Sequence, residues 1–432
     1  MRGGIKPVAA SVALALTWAL GTDPGLESAS PLGPASAHAG AEAGPPAARS
    51  LRLGDEAVTR RDYAAADALY RVALSVPAHR EVASSRLHAL HDLGAFDLSA
   101  DEPQLRELEG WLGPRFRRYE TEHFVVLSDA GRQGALARGR TMERARHQFF
   151  RVMERLGFPV VPPKNKLVCV FFERHQDYAA FAKTRDNVDT GWIAGYYTGL
   201  GNRVVFYDDA TSPRFLQARD AIRQYHATLE DARERATDAR RGRDRESADR
   251  LAAYADDLQQ RIAEETRRID EEAERISESK TIHETIHLLA FNTGLQSRAR
   301  LYPFWFTEGL AAAFETESPH ASFGPDRPTH RRIAEFEAAA EDGRLTPLSD
   351  FIRLTDAGHS HAHARTAEAL YAQAYALFTH LFEESPTALR WYVESIHREP
   401  AGEISPERHA ELFEQGFGSP GAIERRLLSG LR

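Results

Sequence analysis

Thr281-Ile282-His283-Glu284-Thr285-Ile286-His287-Leu288-Leu289 is the stretch on which the reading of this chain turns. On a helix, residues four apart share a face, so His283 and His287 stand one turn apart and can grip one ion together. Glu284 lies one position round the helix, beside a water held by such an ion, without having to bind the ion itself. That arrangement suits metal-assisted hydrolysis with Glu284 as general base. The neighbours Ile282, Thr285, Ile286, Leu288 and Leu289 are all uncharged, which fits a buried helix and not an exposed one. A plain pair of core histidines on such a helix would leave Glu284 without a partner.

A catalytic zinc takes three protein ligands and keeps one position open. Downstream runs Trp305-Phe306-Thr307-Glu308-Gly309-Leu310-Ala311-Ala312-Ala313-Phe314-Glu315, with Glu308 placed 21 positions after His287 (308 − 287). An acid in so apolar a helix start needs a charged partner or a strongly raised pKa, and a zinc ion supplies the partner. Glu315 follows two turns later on the same face. It can accept the second ring N–H of a ligand histidine, or it is a solvent-facing acid at a helix end.

A His-Glu-x-x-His helix followed by Trp-x-x-Glu-Gly-x-Ala-x-x-x-Glu resembles the gluzincin metallopeptidases of the MA clan. Within that clan the chain is similar to a family of exported bacterial proteins of unknown function. Further echoes are Tyr119-Glu120-Thr121-Glu122-His123-Phe124, Gly195-Tyr196-Tyr197 leading to Asn202-Arg203-Val204-Val205, Tyr371-Ala372-Gln373-Ala374-Tyr375-Ala376-Leu377, and Phe413-Glu414-Gln415-Gly416-Phe417-Gly418. The resemblance covers roughly residues 117–432. It implies Zn2+ on His283, His287 and Glu308, Glu284 as the base, and a peptide or protein substrate. It implies an oxyanion donor at Tyr371, with Tyr375 as second choice; each tyrosine reads equally as a core aromatic. It also implies that residues 203–207 form an edge strand that pairs with the substrate.

The chain departs from that pattern at residues 213–280, which intervene between the third strand and the active helix. This stretch holds 15 basic and 17 acidic residues, a near balance that excludes a nucleic-acid arm. Phe215, Ala218, Ile222, Tyr225, Leu229, Ala232 and Ala236 alternate by threes and fours. Leu251, Ala255, Leu258, Ile262, Ile269 and Ile276 resume the pattern after a break near Gly242. The period predicts an antiparallel coiled-coil hairpin. It would gate the cleft, select substrates or bind a protein partner, or stand as a solvated protrusion.

Strands are expected at 119–127, 166–172 and 203–207, with a glycine-marked turn between 191 and 201, and a helix at 140–156. Residues 49–115 read as helical. There Leu53-Gly54, Asp62-Tyr63, Ala66, Tyr70, Ala73 and Pro77 have nearly tetratricopeptide spacing, though a plain helical hairpin has the same pattern. Residues 40–48 close a linker rich in Ala, Gly, Pro and Ser. Residues 1–39 read as an export signal: Arg2 and Lys6, an apolar run at 8–20, and Ala37-His38-Ala39 for cleavage. The destination is the periplasm or the medium, with a membrane attachment only if this segment is uncleaved.

The 432 residues carry a formal charge of −8, which argues against a nucleic-acid partner. The single cysteine, Cys169, excludes an intrachain disulfide and a multi-thiolate zinc site. Gly416-Phe417-Gly418-Ser419-Pro420-Gly421 matches a dinucleotide fingerprint in letters only, because no strand precedes it and no βαβ unit can follow. Thr293 stands where the longer metzincin motif needs histidine. His359, His361 and His363 read as a solvated loop.

The resulting expectation is an α+β chain. Its gluzincin-like domain at 116–432 combines a small mixed sheet, the active-site helix and a helical C-terminal lobe. A coiled-coil hairpin is inserted at 213–280, and a tetratricopeptide-like helical segment at 49–115 precedes the domain. Function would be zinc-dependent peptide hydrolysis. The alternatives are zinc hydrolysis of a non-peptide bond and a non-catalytic helical-repeat scaffold.

Overall fold

A computed structural model describes residues 46–92, 98–190, 194–355, 364–400 and 404–430. The expected signal at 1–39, most of the linker and the histidine loop at 359–363 lie outside the described residues.

A five-stranded mixed sheet forms from runs of alternating or wholly apolar residues. The strands are β1 (Arg117–Glu120), β2 (Phe124–Ser128), β3 (Leu167–Phe172), β4 (Gly195–Thr198) and β5 (Arg203–Tyr207), in the order β1-β2-β3-β5-β4. β2, β3 and β5 are parallel and buried throughout, as strands covered on both faces must be. β1 and β4 close the two edges in antiparallel pairing.

Two sequence expectations are corrected here. The single strand expected at 119–127 is two strands. Glu143 accepts from Thr121 Oγ1 (2.7 Å), the His123 amide (2.8 Å) and His123 Nδ1 (2.8 Å), and the Thr121 amide donates to the Phe124 carbonyl (3.0 Å). These bonds turn the chain back on itself. Residues 203–207 are not an edge strand: the glycine turn folds β4 onto β5, so β5 is interior and β4 takes the edge.

The helices are α1 (Pro46–Thr59), α2 (Tyr63–Leu74), α3 (Arg80–Asp92), α4 (Glu102–Leu112), α5 (Gly131–Arg155), α6 (His175–Phe181), α7 (Pro213–Arg241), α8 (Arg245–Asn292), α9 (Phe304–Ala312), α10 (His330–Glu341), α11 (Leu348–Phe351), α12 (Ala364–Glu384), α13 (Pro386–Arg398), α14 (Pro406–Phe417) and α15 (Pro420–Ser429). None is long and apolar enough to cross a membrane. α1 begins at Pro46, inside the stretch read as linker.

α7 and α8 form the hairpin, turning at Gly242, where Asp244 caps α8 by accepting from the Ser247 amide (3.1 Å). Phe215, Ile222 and Leu229 meet Leu258, Ile262, Ile269 and Ile276 in an apolar core separate from that of the sheet. Tyr225 keeps the same period yet is half-exposed, its phenol hydroxyl being ill suited to a seam of apolar side chains. α8 has 48 residues, about 72 Å at the usual rise. It runs unbroken from the hairpin into the body, and every residue from Glu278 to Phe291 is buried.

α1, α2 and α3 share a third small core. A side chain at Gly54 would collide with the Tyr70 ring, 2.3 Å from Cε1, so glycine lets α1 and α2 close. The C-terminal helices gather round Trp305, Tyr392, Phe413 and Phe417.

Candidate metal centre

The buried end of α8 presents His283 and His287 toward Glu308 on α9. His283 Nε2 lies 3.2 Å from His287 Nε2 and 3.3 Å from Glu308 Oε2, and His287 Nε2 is 3.5 Å from the same oxygen. A tetrahedral zinc with bonds of about 2.0–2.1 Å sets its ligand atoms about 3.3–3.4 Å apart. The three donors therefore stand at the spacing such an ion requires. Among the described residues this is the one cluster of three such side chains within reach of a common ion.

Glu315 takes up the orientation of His283: Nδ1 donates to its Oε1 (2.9 Å), so Nε2 turns inward. Of the two readings of Glu315, the exposed acid is excluded, since its side chain is 2 % exposed. Gly309 matters for the frame. A Cβ there would lie 2.4 Å from the Ala374 carbonyl oxygen and 2.7 Å from Phe378 Cβ, so only glycine lets α9 and α12 approach this closely. That approach brings Tyr371 to the centre, its ring 6.4 Å from that of His283 and 5.3 Å from Phe304. Tyr375, one turn on, is engaged elsewhere: its hydroxyl accepts from the Thr329 amide (2.8 Å).

Glu284 lies beside the centre, within electrostatic reach of His283 and Glu308, and next to Tyr197 of β4. Neither carboxylate oxygen makes a well-formed hydrogen bond, and the Tyr197 amide is the backbone donor that faces it. Tyr197 stacks on Phe291 (5.3 Å, 12°), and Asn292 Nδ2 donates to Asn202 Oδ1 (2.7 Å), which ties the β4–β5 turn to the end of α8. One turn before Glu284, the buried Lys280 pairs with Asp209 (2.6 Å) and is pulled down to about 8 by burial, against the attraction of Asp209.

Burial and mutual attraction shift the titrating groups of the centre. Burial pushes the Glu284 carboxyl up to about 8; nearby His283 opposes this and Glu308 adds to it. Burial would depress His283, but its bonds to Glu308 and Glu315 outweigh that and raise it to about 10. Glu308 is raised by burial and more strongly lowered by His287 and His283, to about 2. Arg332 and Arg331 neutralise Glu315 and hold its carboxyl well below the usual carboxylate range.

All four residues of the motif pair, His283, Glu284, His287 and Glu308, lie together as the sequence places them, each 2 % exposed or less. Sequence reasoning missed Arg331, Arg332 and Glu335. Their signal, two arginines with an acid three and four positions on, is that of an ordinary exposed helix face. A cavity of about 480 Å³ lies elsewhere, between α5 and the hairpin root, beside Arg138, Arg144, Ser277 and Glu278.

Residues 277–401 match the family described as Protein of unknown function (DUF1570). The match starts at the buried end of α8 and runs through the centre to the end of α13. No curated protein matches the chain. No solved structure matches it.

Proposed function

We propose that this chain is a zinc-dependent hydrolase of the gluzincin type that cleaves peptide bonds. The triangle of His283, His287 and Glu308 donor atoms, at zinc spacing, carries the proposal. His283, His287 and Glu308 would hold the ion. When bound, zinc lowers the pKa of its water and polarises the scissile carbonyl.

The chain's own residues supply the rest. Glu284, unpartnered and buried, takes the proton of the attacking water and passes it to the leaving amine. Tyr371 donates to the developing oxyanion from the side of His283. β4, as the free edge of the sheet beside Glu284, offers backbone groups to an extended peptide. With an export signal at 1–39, the substrate would be a peptide or protein met outside the cytoplasm.

The test is the metal content of the purified chain beside the His283→Ala/His287→Ala variant, followed by hydrolysis of an unfolded protein. The proposal expects about one zinc per parent chain, none in the variant, and cleavage by the parent alone. No zinc in either after reconstitution would remove the enzyme reading and favour the scaffold. Zinc without peptide cleavage would favour hydrolysis of another bond.

A further inference from the structure

Glu315 is held far more firmly than the orientation of one histidine requires. Besides His283 Nδ1, its Oε1 accepts from Arg332 Nη2 (2.7 Å), and its Oε2 accepts from Arg332 Nε (3.0 Å) and Arg331 Nη2 (2.8 Å). The Arg332 side chain is fully buried, and its remaining Nη1 is anchored on Glu335 Oε2 (2.9 Å), whose other oxygen takes Arg331 Nη1 (2.6 Å). The Arg332 guanidinium also lies 5.9 Å from the centre of the Tyr371 ring. It therefore binds one of the side chains that flank His283 and lies over the ring of the other.

We propose that Arg332 is a positioning residue for the metal centre: by clamping Glu315 from two sides it fixes the plane of the His283 ring. This rests on the zinc reading above. A carboxylate held by one imidazole alone can rotate, and the ring rotates with it. The planar fork of an arginine defines the carboxylate plane, which a lysine ammonium cannot do. Metal affinity depends on ligand orientation within about 10–20°. The clamp comes from α10, outside the two helices that carry the ligands. Thr329, at the entry to α10, is pinned to the Tyr375 hydroxyl. α10 is thus part of the site and not merely packed against it.

Cobalt(II) is the probe, added to the metal-free full chain, because its visible bands report ligand geometry at the site itself. The parent is expected to bind one cobalt. Arg332→Lys, which keeps the charge and loses the fork, should bind it about 10–100-fold more weakly with shifted bands. An Arg332→Lys chain with the parent's affinity and spectrum overturns the proposal. Arg331→Met removes one of the four bonds from a side chain that is partly exposed, so it serves if the Arg332 variant fails to fold. Expected there is a smaller shift in the same direction, and unchanged bands overturn the proposal. A parent that binds neither cobalt nor zinc defeats the zinc reading itself, and this proposal with it, before any variant is compared.

Discussion

At the scale of single residues, the centre packs three buried acids, Glu284, Glu308 and Glu315, against two buried histidines and a buried arginine. Glu284 differs from its neighbours because neither of its oxygens makes a well-formed hydrogen bond. Glu284→Gln should therefore leave metal content near the parent's while lowering hydrolysis by about 10²–10⁴, the usual worth of a positioned general base. Parent-like turnover would take the role away from it. His409 on α14 is a different kind of buried group. Burial holds its ring well below the ordinary histidine value, at about 4, against the pull of Glu399 and the Leu301 carbonyl. Because the folded value is depressed, the unfolded chain takes up the proton first as pH falls. Stability should then drop progressively between about 6.5 and 4, by up to about 3 kcal/mol. His409→Leu should flatten that stretch of the pH–stability curve, and equal slopes in parent and variant would show that the ring is charged in the fold. The proposed ligands were legible because His283 and His287 share one helix face and Glu308 interrupts an apolar run. Arg332 was not, since its partner lies 17 positions away and the pairing exists only after α9 and α10 fold together.

At the scale of elements, α8 is one helix in two environments. Its first part shares a seam with α7 alone, while residues 278–291 are enclosed on all sides. The heptads predicted the hairpin, and the uncharged flanks predicted the buried end. The edge strand was not foreseeable, because β4 and β5 are both apolar and only the direction of the glycine turn decides which lies outside. The reversal at 121–123 depends likewise on Glu143, a residue from α5 that no local pattern announces. Hydrogen exchange should follow the two environments. Amides of residues 281–292 should be the slowest in α8, with protection falling steadily toward Gly242. Added zinc should slow exchange at the buried end only. Uniform protection along the whole of α8 would mean that hairpin and centre open as one unit.

At the scale of the whole molecule, three apolar cores stand apart among the described residues: the sheet with the C-terminal helices, the hairpin, and α1 to α3. Composition and patterning foretold a mixed α+β body with helical additions, but not how they dock, because docking surfaces follow no period. The N-terminal core is attached largely through polar contacts. Ser84 Oγ donates to the Val160 carbonyl (2.7 Å), His88 Nε2 meets the same oxygen (2.8 Å), and Arg71 donates to the Pro162 carbonyl (3.0 Å). Water can replace such bonds at a net cost of about 1 kcal/mol each. Among the described residues, apolar contact across the junction includes Val161 against the helical core and His88 edge-on to Phe150. α4, by contrast, belongs to the main body, with Leu105 and Leu108 buried in the sheet core. A chain beginning at residue 98 should therefore fold, bind one zinc, and melt only a few degrees below the parent. If it aggregates or loses its metal, α1 to α3 belong to the same cooperative unit as the centre. Should it keep the metal and gain turnover, those helices restrain access to the buried site from outside its own core.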